Sequence, residues 1–150
     1  MATSWIGLAV APKRDKLYAY QINTAGLKEG AVVVWDTGAN GQLVKAPAAA
    51  AASGIAGIIA DQLGSSGTVV GSDVNLQRDG IALVLLKNGQ TVAAGDPLCV
   101  AGTDGSVRKA VNADSPCDII GYSEVAHTAG ATNEAIPARV NISQYNIGAS

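Results

Sequence analysis

The chain has 150 residues and a mass of 15.0 kDa, the size of one ordinary domain, so two large domains do not fit. Charged residues make up only 15% and aromatics 4%, with no Phe, while much of the 48% hydrophobic content is alanine and valine. Ten basic and twelve acidic residues leave a net charge of -2, which argues against a dedicated nucleic-acid binder.

Residues 1–26 differ in texture from the rest. They hold Trp5, Ile6, Leu8 and Val10, then Lys13-Arg14-Asp15-Lys16, then Leu17, Tyr18, Tyr20 and Ile22. The apolar run Trp5–Pro12 is short, and the positive charges follow it rather than precede it, so it does not read as a signal peptide. Tyr18, Tyr20 and Ile22 alternate like one face of a strand, with Leu17 on the other. Two readings of this N-terminal arm stay open: it docks on a partner, or it folds back as an edge strand of its own barrel.

The rest of the chain reads as strands. Val32–Trp35, Ile55–Ala60, Ile81–Leu86, Ile119–Tyr122 and Ala138–Ile142 are short apolar or alternating runs. Asn40-Gly41, Asp79-Gly80, Asn88-Gly89 and Asp104-Gly105 supply the dipeptides of tight turns. The charge-free stretch Ala46–Ala60 is interrupted by Pro47, Gly54 and Gly57; it begins as a loop or single helical turn and is too short to span a membrane.

A repeat organises these runs. Gly30-Ala31-Val32-Val33-Val34 matches Gly95-Asp96-Pro97-Leu98-Cys99-Val100 at an offset of 65. Gly41-Gln42-Leu43-Val44-Lys45-Ala46 matches Gly105–Ala110, and Ile55-Ala56-Gly57-Ile58 matches Ile119–Tyr122, both at 64. Each pass then ends in a longer strand, Ile81–Leu86 or Ala138–Ile142. A unit this small cannot bury its own apolar face, so the two halves are expected to share one core. The fold class is all-β: a small barrel or sandwich from two related halves (27–87 and 92–143 of one domain over 27–143), with an extended N-terminal arm over 1–26 and a tail over 144–150.

Chemistry is sparse. The one histidine, His127, sits in a small-residue turn and reads as an exposed loop residue. No nucleophile elbow or phosphate-binding glycine loop is present. Asp61, Asp73, Asp79, Asp96, Asp104, Asp114 and Asp118 mostly adjoin Gly, Ser or Pro, where Asp serves turns. Cys99 and Cys117 read as free thiols, with a disulfide between them as the alternative. No catalytic residue, cofactor site or metal site is assigned.

The run Leu27–Val34, Gly41–Ala48 and Gly54–Ile59, followed by Val92–Val100 and Asp104–Val107, resembles the capsid decoration, or cement, proteins of tailed bacteriophages. The resemblance covers about residues 27–143. It implies a small β-clip- or β-tulip-like protein, made in the bacterial host cytoplasm, that sits on the outer surface of the expanded virion shell as a homotrimer. Its partners would be the major capsid protein and itself, with no nucleic acid and no membrane. The resemblance does not reach the N-terminal arm, and the contact candidates are read from the arm's own residues: Trp5, Tyr18 and Tyr20 as aromatic anchors with Ile6 and Leu8, and Lys13, Arg14 and Lys16 to pair with acidic groups on the shell. Other classes remain open: a head-fibre, spike or tail-associated binding module, or a small cytosolic ligand-binding barrel or enzyme.

Overall fold

The computed structural model describes residues 17–38 and 43–142. These form twelve strands and one 3-10 turn, with no α-helix among the described residues. The first five strands are β1 (Leu17–Ile22), β2 (Val32–Trp35), β3 (Leu43–Lys45), β4 (Ile55–Ile59) and β5 (Asp73–Gln77), and they close into a barrel in the order β1-β3-β2-β4-β5. The second barrel uses β6 (Asp79–Leu86), β8 (Pro97–Val100), β9 (Val107–Lys109), β10 (Gly121–Ser123) and β12 (Glu134–Asn141). Its order, β6-β9-β8-β10-β12, is the same path through the same five positions. Strands β7 (Thr91–Val92) and β11 (His127–Thr128) form a separate two-stranded ribbon. In both barrels the first strand runs parallel to the third, and every other pairing is antiparallel.

The all-β expectation with two related halves is met, but the boundaries between the halves move. Ile81–Leu86 opens the second barrel instead of ending the first; β5 ends the first. β5 escaped notice because Asp73, Asn75 and Gln77 alternate with Val74 and Leu76 and dilute the apolar signal. Leu17–Ile22 is not an arm. It pairs on one side with β5 and on the other with β3, so it is an interior member of a closed barrel rather than an edge. Asp79-Gly80 is not a hairpin turn but the start of β6, paired with Asn141 and Val140. Asn40-Gly41 lies outside the described residues. Asn88-Gly89 and Asp104-Gly105 do sit in turns, with both glycines at positive φ.

The pairing also corrects the repeat by one residue. Trp35 pairs with Val44, and Val100 pairs with Val107, so Val44 is equivalent to Val107 at an offset of 63 rather than 64. A slip of one residue in a strand turns every side chain to the opposite face. Only the offset of 63 keeps both valines, each fully buried, pointing inward.

The core has two main clusters. One fills the first barrel with Ile22, Val33, Val44, Val74 and Leu76. The larger fills the second barrel with Val84, Leu86, Leu98, Val107 and Ile136, and continues onto Val32, Val34, Ile55 and Ile58 of the first. Along β2, Val33 therefore points into its own barrel while Val32 and Val34 point into the neighbour, as period-two alternation requires. The halves share a core in this asymmetric sense: the outer β2/β4 face of the first barrel covers one end of the second. Gly105 permits the contact, because a Cβ there would lie 2.7 Å from the Val32 carbonyl oxygen and 2.8 Å from Ala31 Cβ.

Candidate functional site: the aromatic end of the first barrel

Along β1, Tyr18 is exposed, Tyr20 half-buried and Ile22 fully buried. One strand face thus rises out of the core to the rim at the β2–β3 end of the barrel. Trp35 reaches the same end because it follows Val33 on the inward face of β2. Arg78 reaches it because it continues the inward series Val74, Leu76. The Tyr20 and Trp35 rings meet edge to face, with centroids 5.1 Å apart at 85°. The Arg78 guanidinium carbon lies 4.6 Å from the Tyr18 ring centre, 5.3 Å from that of Tyr20 and 5.1 Å from that of Trp35. Arg78 Nε donates to the Ala56 carbonyl at 2.8 Å, and Nη2 donates to the Tyr20 hydroxyl at 3.0 Å. One cation is thereby held among three aromatic rings and fixed by two hydrogen bonds.

Asp36 lies beside Trp35 and is buried. It accepts from Asn23 Nδ2 at 2.9 Å and from the Gly38 N–H, with Lys45 Nζ at 3.4 Å. The Asn23 hydrogen bond, aided by Gly38 and Lys45, outweighs desolvation and holds its carboxyl below the usual range. The rim is therefore rigid and charged on one side, aromatic on the other.

The second barrel closes with different residues at the equivalent end, which the first barrel covers. By strand pairing, Ala82, Val84, Val100 and Val140 occupy the positions of Tyr18, Tyr20, Trp35 and Arg78. All four are small, aliphatic and buried. Closing a barrel of this type does not need aromatic or cationic residues. Tyr, Trp and Arg are also the residues that dominate protein interfaces, since they combine large contact area with polar edges. The quartet thus gathers residue types common at protein interfaces at one barrel end, with Tyr18 exposed and Tyr20, Trp35 and Arg78 half-buried.

Of the sequence-predicted contact residues, Tyr18 and Tyr20 belong to this cluster. Trp5, Ile6, Leu8, Lys13, Arg14 and Lys16 lie outside the described residues. Trp35 and Arg78 were missed. Their signal was the inward period-two series that each one extends, visible only once β2 and β5 are placed.

The second barrel carries a shallow open depression of about 460 Å³, lined by residues 97, 110–112, 115–117 and 119. Cys117 borders it and Cys99 lies beneath; both thiols are free. Burial pushes the Cys99 thiol up to about 11. Such a thiol stays protonated at neutral pH and is a poor nucleophile. His127 is not an exposed loop residue: it lies in β11, is largely covered, and its Nε2 sits 2.9 Å from Glu134 Oε1. The turn reading of the aspartates holds at Asp104, which accepts from Ser106 N–H at 3.0 Å, and at Asp96, which accepts from Ala93 N–H at 2.8 Å. Among the described residues no group of His, Cys, Asp or Glu is placed to hold a metal ion.

No known family profile matches the chain, and no curated protein matches it in sequence. Solved structures do match in fold. One is the N base of the head fibre gp8.5 of bacteriophage phi29, with TM-score 0.53 and 16% identity, covering 83% of this chain and 92% of that one. Another is a chain of the capsid of Myoviridae phage XM1, with TM-score 0.58 and 17% identity, covering 84% of this chain and 82% of that one. At such identities the likeness is one of fold.

Proposed function

We propose that this protein is a non-enzymatic structural protein of a bacteriophage virion that binds the outer surface of the expanded capsid and stabilises it against internal DNA pressure. The observation that carries this reading is the extent of the fold match. Chains from two phage heads share the fold over more than four-fifths of each chain compared. The aromatic–arginine end of the first barrel supplies a surface for protein contact.

Under this reading the major capsid protein is the partner, together with other copies of the chain, as a homotrimer. Stabilisation follows from linkage: a protein that binds only the expanded lattice adds its binding free energy to that state. Several contacts held in one oligomer act at high effective concentration, so no single contact has to be strong. Residues 1–16, with Trp5, Lys13, Arg14 and Lys16, would supply the grip on the shell.

A second reading is favoured by one observation, the match to a head-fibre base: the chain would then be the attachment module of a fibre or spike. Copy number separates the two. Purified protein is mixed with expanded, undecorated shells of the cognate phage, and bound copies are counted after co-sedimentation. Saturation at hundreds of copies, absent on unexpanded shells, is the expected result. A handful of copies per particle assigns a fibre or spike role, and no binding removes both. A chain lacking residues 1–16 is expected to keep its far-UV spectrum and lose shell binding; undiminished binding would move the grip to the barrels.

A further inference from the structure

Inside one chain, the outer β2/β4 face of the first barrel is seated on the β8–β9 end of the second. Hydrogen bonds from backbone N–H groups fix the seat, among them Val32 N–H to the Gly105 carbonyl at 2.8 Å, Ala51 N–H to the Val100 carbonyl at 2.9 Å, and Gly54 N–H to Asp118 Oδ2 at 2.8 Å. Because the two barrels share one pairing scheme, both surfaces exist a second time.

The counterpart of the seated face is the outer β8/β10 face of the second barrel, where Pro97, Ile119 and Tyr122 take the positions of Val32, Ile55 and Ile58. The open depression of the second barrel lies on this face, and its lining residues 110–112 and 115–117 fall in the segment that corresponds to 46–53, which carries Ala51. Where the first-barrel face is buried, this one stands open: Val111 and Tyr122 are each 52% exposed. The counterpart of the β8–β9 end is the β2–β3 end of the first barrel, with Tyr18, Trp35 and Arg78, where Tyr18 is 45% exposed.

We propose that these two open surfaces are partners between copies of the chain. The β8/β10 face of one copy seats on the aromatic β2–β3 end of the next, repeating between chains the contact that the barrels make within one. The residue types fit the difference in duty. The permanent internal contact is aliphatic, whereas the intermolecular pair uses Tyr, Trp and Arg, which tolerate water before assembly. Such a contact joins two different surfaces, so copies add head to tail until the rotation closes a ring. The inference rests on the self-association in the reading above, not on shell binding.

Two substitutions at exposed positions test it: Tyr122→Asp on the face and Tyr18→Asp at the end, each checked for an unchanged far-UV spectrum and melting temperature. In sedimentation velocity the full chain is expected as one discrete oligomer and each variant as a monomer. Mixed in equal amounts, the two variants are expected to give a 1:1 dimer, because one intact surface of each kind remains. A monomeric full chain, a variant that assembles normally, or a mixture that stays monomeric would overturn the contact. Growth without a limiting size would overturn the closed ring. A monomer that still saturates expanded shells would sink this contact alone, and a ring that ignores shells would sink only the shell reading.

Discussion

Asp114 carries several contacts at once. Its carboxylate takes both Arg108 nitrogens, at 2.6 and 2.8 Å, and the Val111 N–H at 2.8 Å, while Cys99 Sγ lies 3.8 Å away. The Arg108 bonds first, then the Val111 N–H, hold its carboxyl well below the ordinary 3.8. Asp104 is low as well: burial raises it, but hydrogen bonds from Ser106 and Asn133 together with Lys87 win. A carboxyl that is more acidic folded than unfolded stabilises the fold above its ordinary value, and that contribution disappears as pH falls below it. Asp114→Asn is therefore expected to lower the urea midpoint at neutral pH, with the gap to the parent closing below about pH 3.8. A gap that is constant with pH would show that the pair has no part in acid stability. At this scale the sequence was partly readable. Alternation puts Tyr18 and Tyr20 on one strand face and their aromatic rings mark them as contact candidates, but Trp35 and Arg78 depend on which strands meet at one barrel end, which residue spacing does not contain.

At the scale of elements, turns and apolar runs were legible and their partners were not. β2 was readable to the residue because three valines and a tryptophan stand between clear turn signals. β12 is longer than the run Ala138–Ile142, since Glu134 and Ala135 are held by pairing with Leu86 and Leu85 rather than by their own propensity. The shift in the repeat has the same cause: Gly-x-Leu-Val-Lys-Ala matches best by letter at 64, while burial demands 63. Glycines separate by what surrounds them. Gly71 has a φ of 88° and open space around it, whereas Gly105 has a φ of 76° and the neighbouring barrel against it. Gly71→Ala is expected to cost about 1 kcal/mol from backbone strain alone. Gly105→Ala adds steric displacement of Val32 and is expected to cost about 3 kcal/mol. Guanidinium unfolding midpoints measure both, and equal costs would refute the account of Gly105 as the point of close approach.

For the molecule as a whole, the continuous cluster from Val32 and Ile58 to Ile136 ties the two barrels into one cooperative unit. Trp35 reports on the first barrel, and the fully buried Cys99 reports on the second. In a Trp5→Phe, Cys117→Ser background, Trp35 fluorescence and Cys99 labelling are expected to follow one unfolding curve with one midpoint. Two separated midpoints would mean that the barrels unfold independently. The repeat made the existence of two related halves legible. It did not reveal that each half starts one strand earlier than its apolar runs suggest, because β1 and β6 join their barrels through long-range pairings with strands that follow them.

β5 ends at Gln77 and β6 begins at Asp79, so one residue, Arg78, is the whole covalent link between the barrels. Gln77 Nε2 bonds the Asp79 and Ile81 carbonyls at 2.9 and 2.8 Å, and the Arg78 carbonyl receives Ile142 N–H at 2.7 Å. A joint so short and so strapped has no slack to take up. Tension entering one barrel passes to the other as shear along paired strands rather than as extension of a tether. The molecule transmits a pull as a stiff bracket does, with strand pairing as its weakest direction.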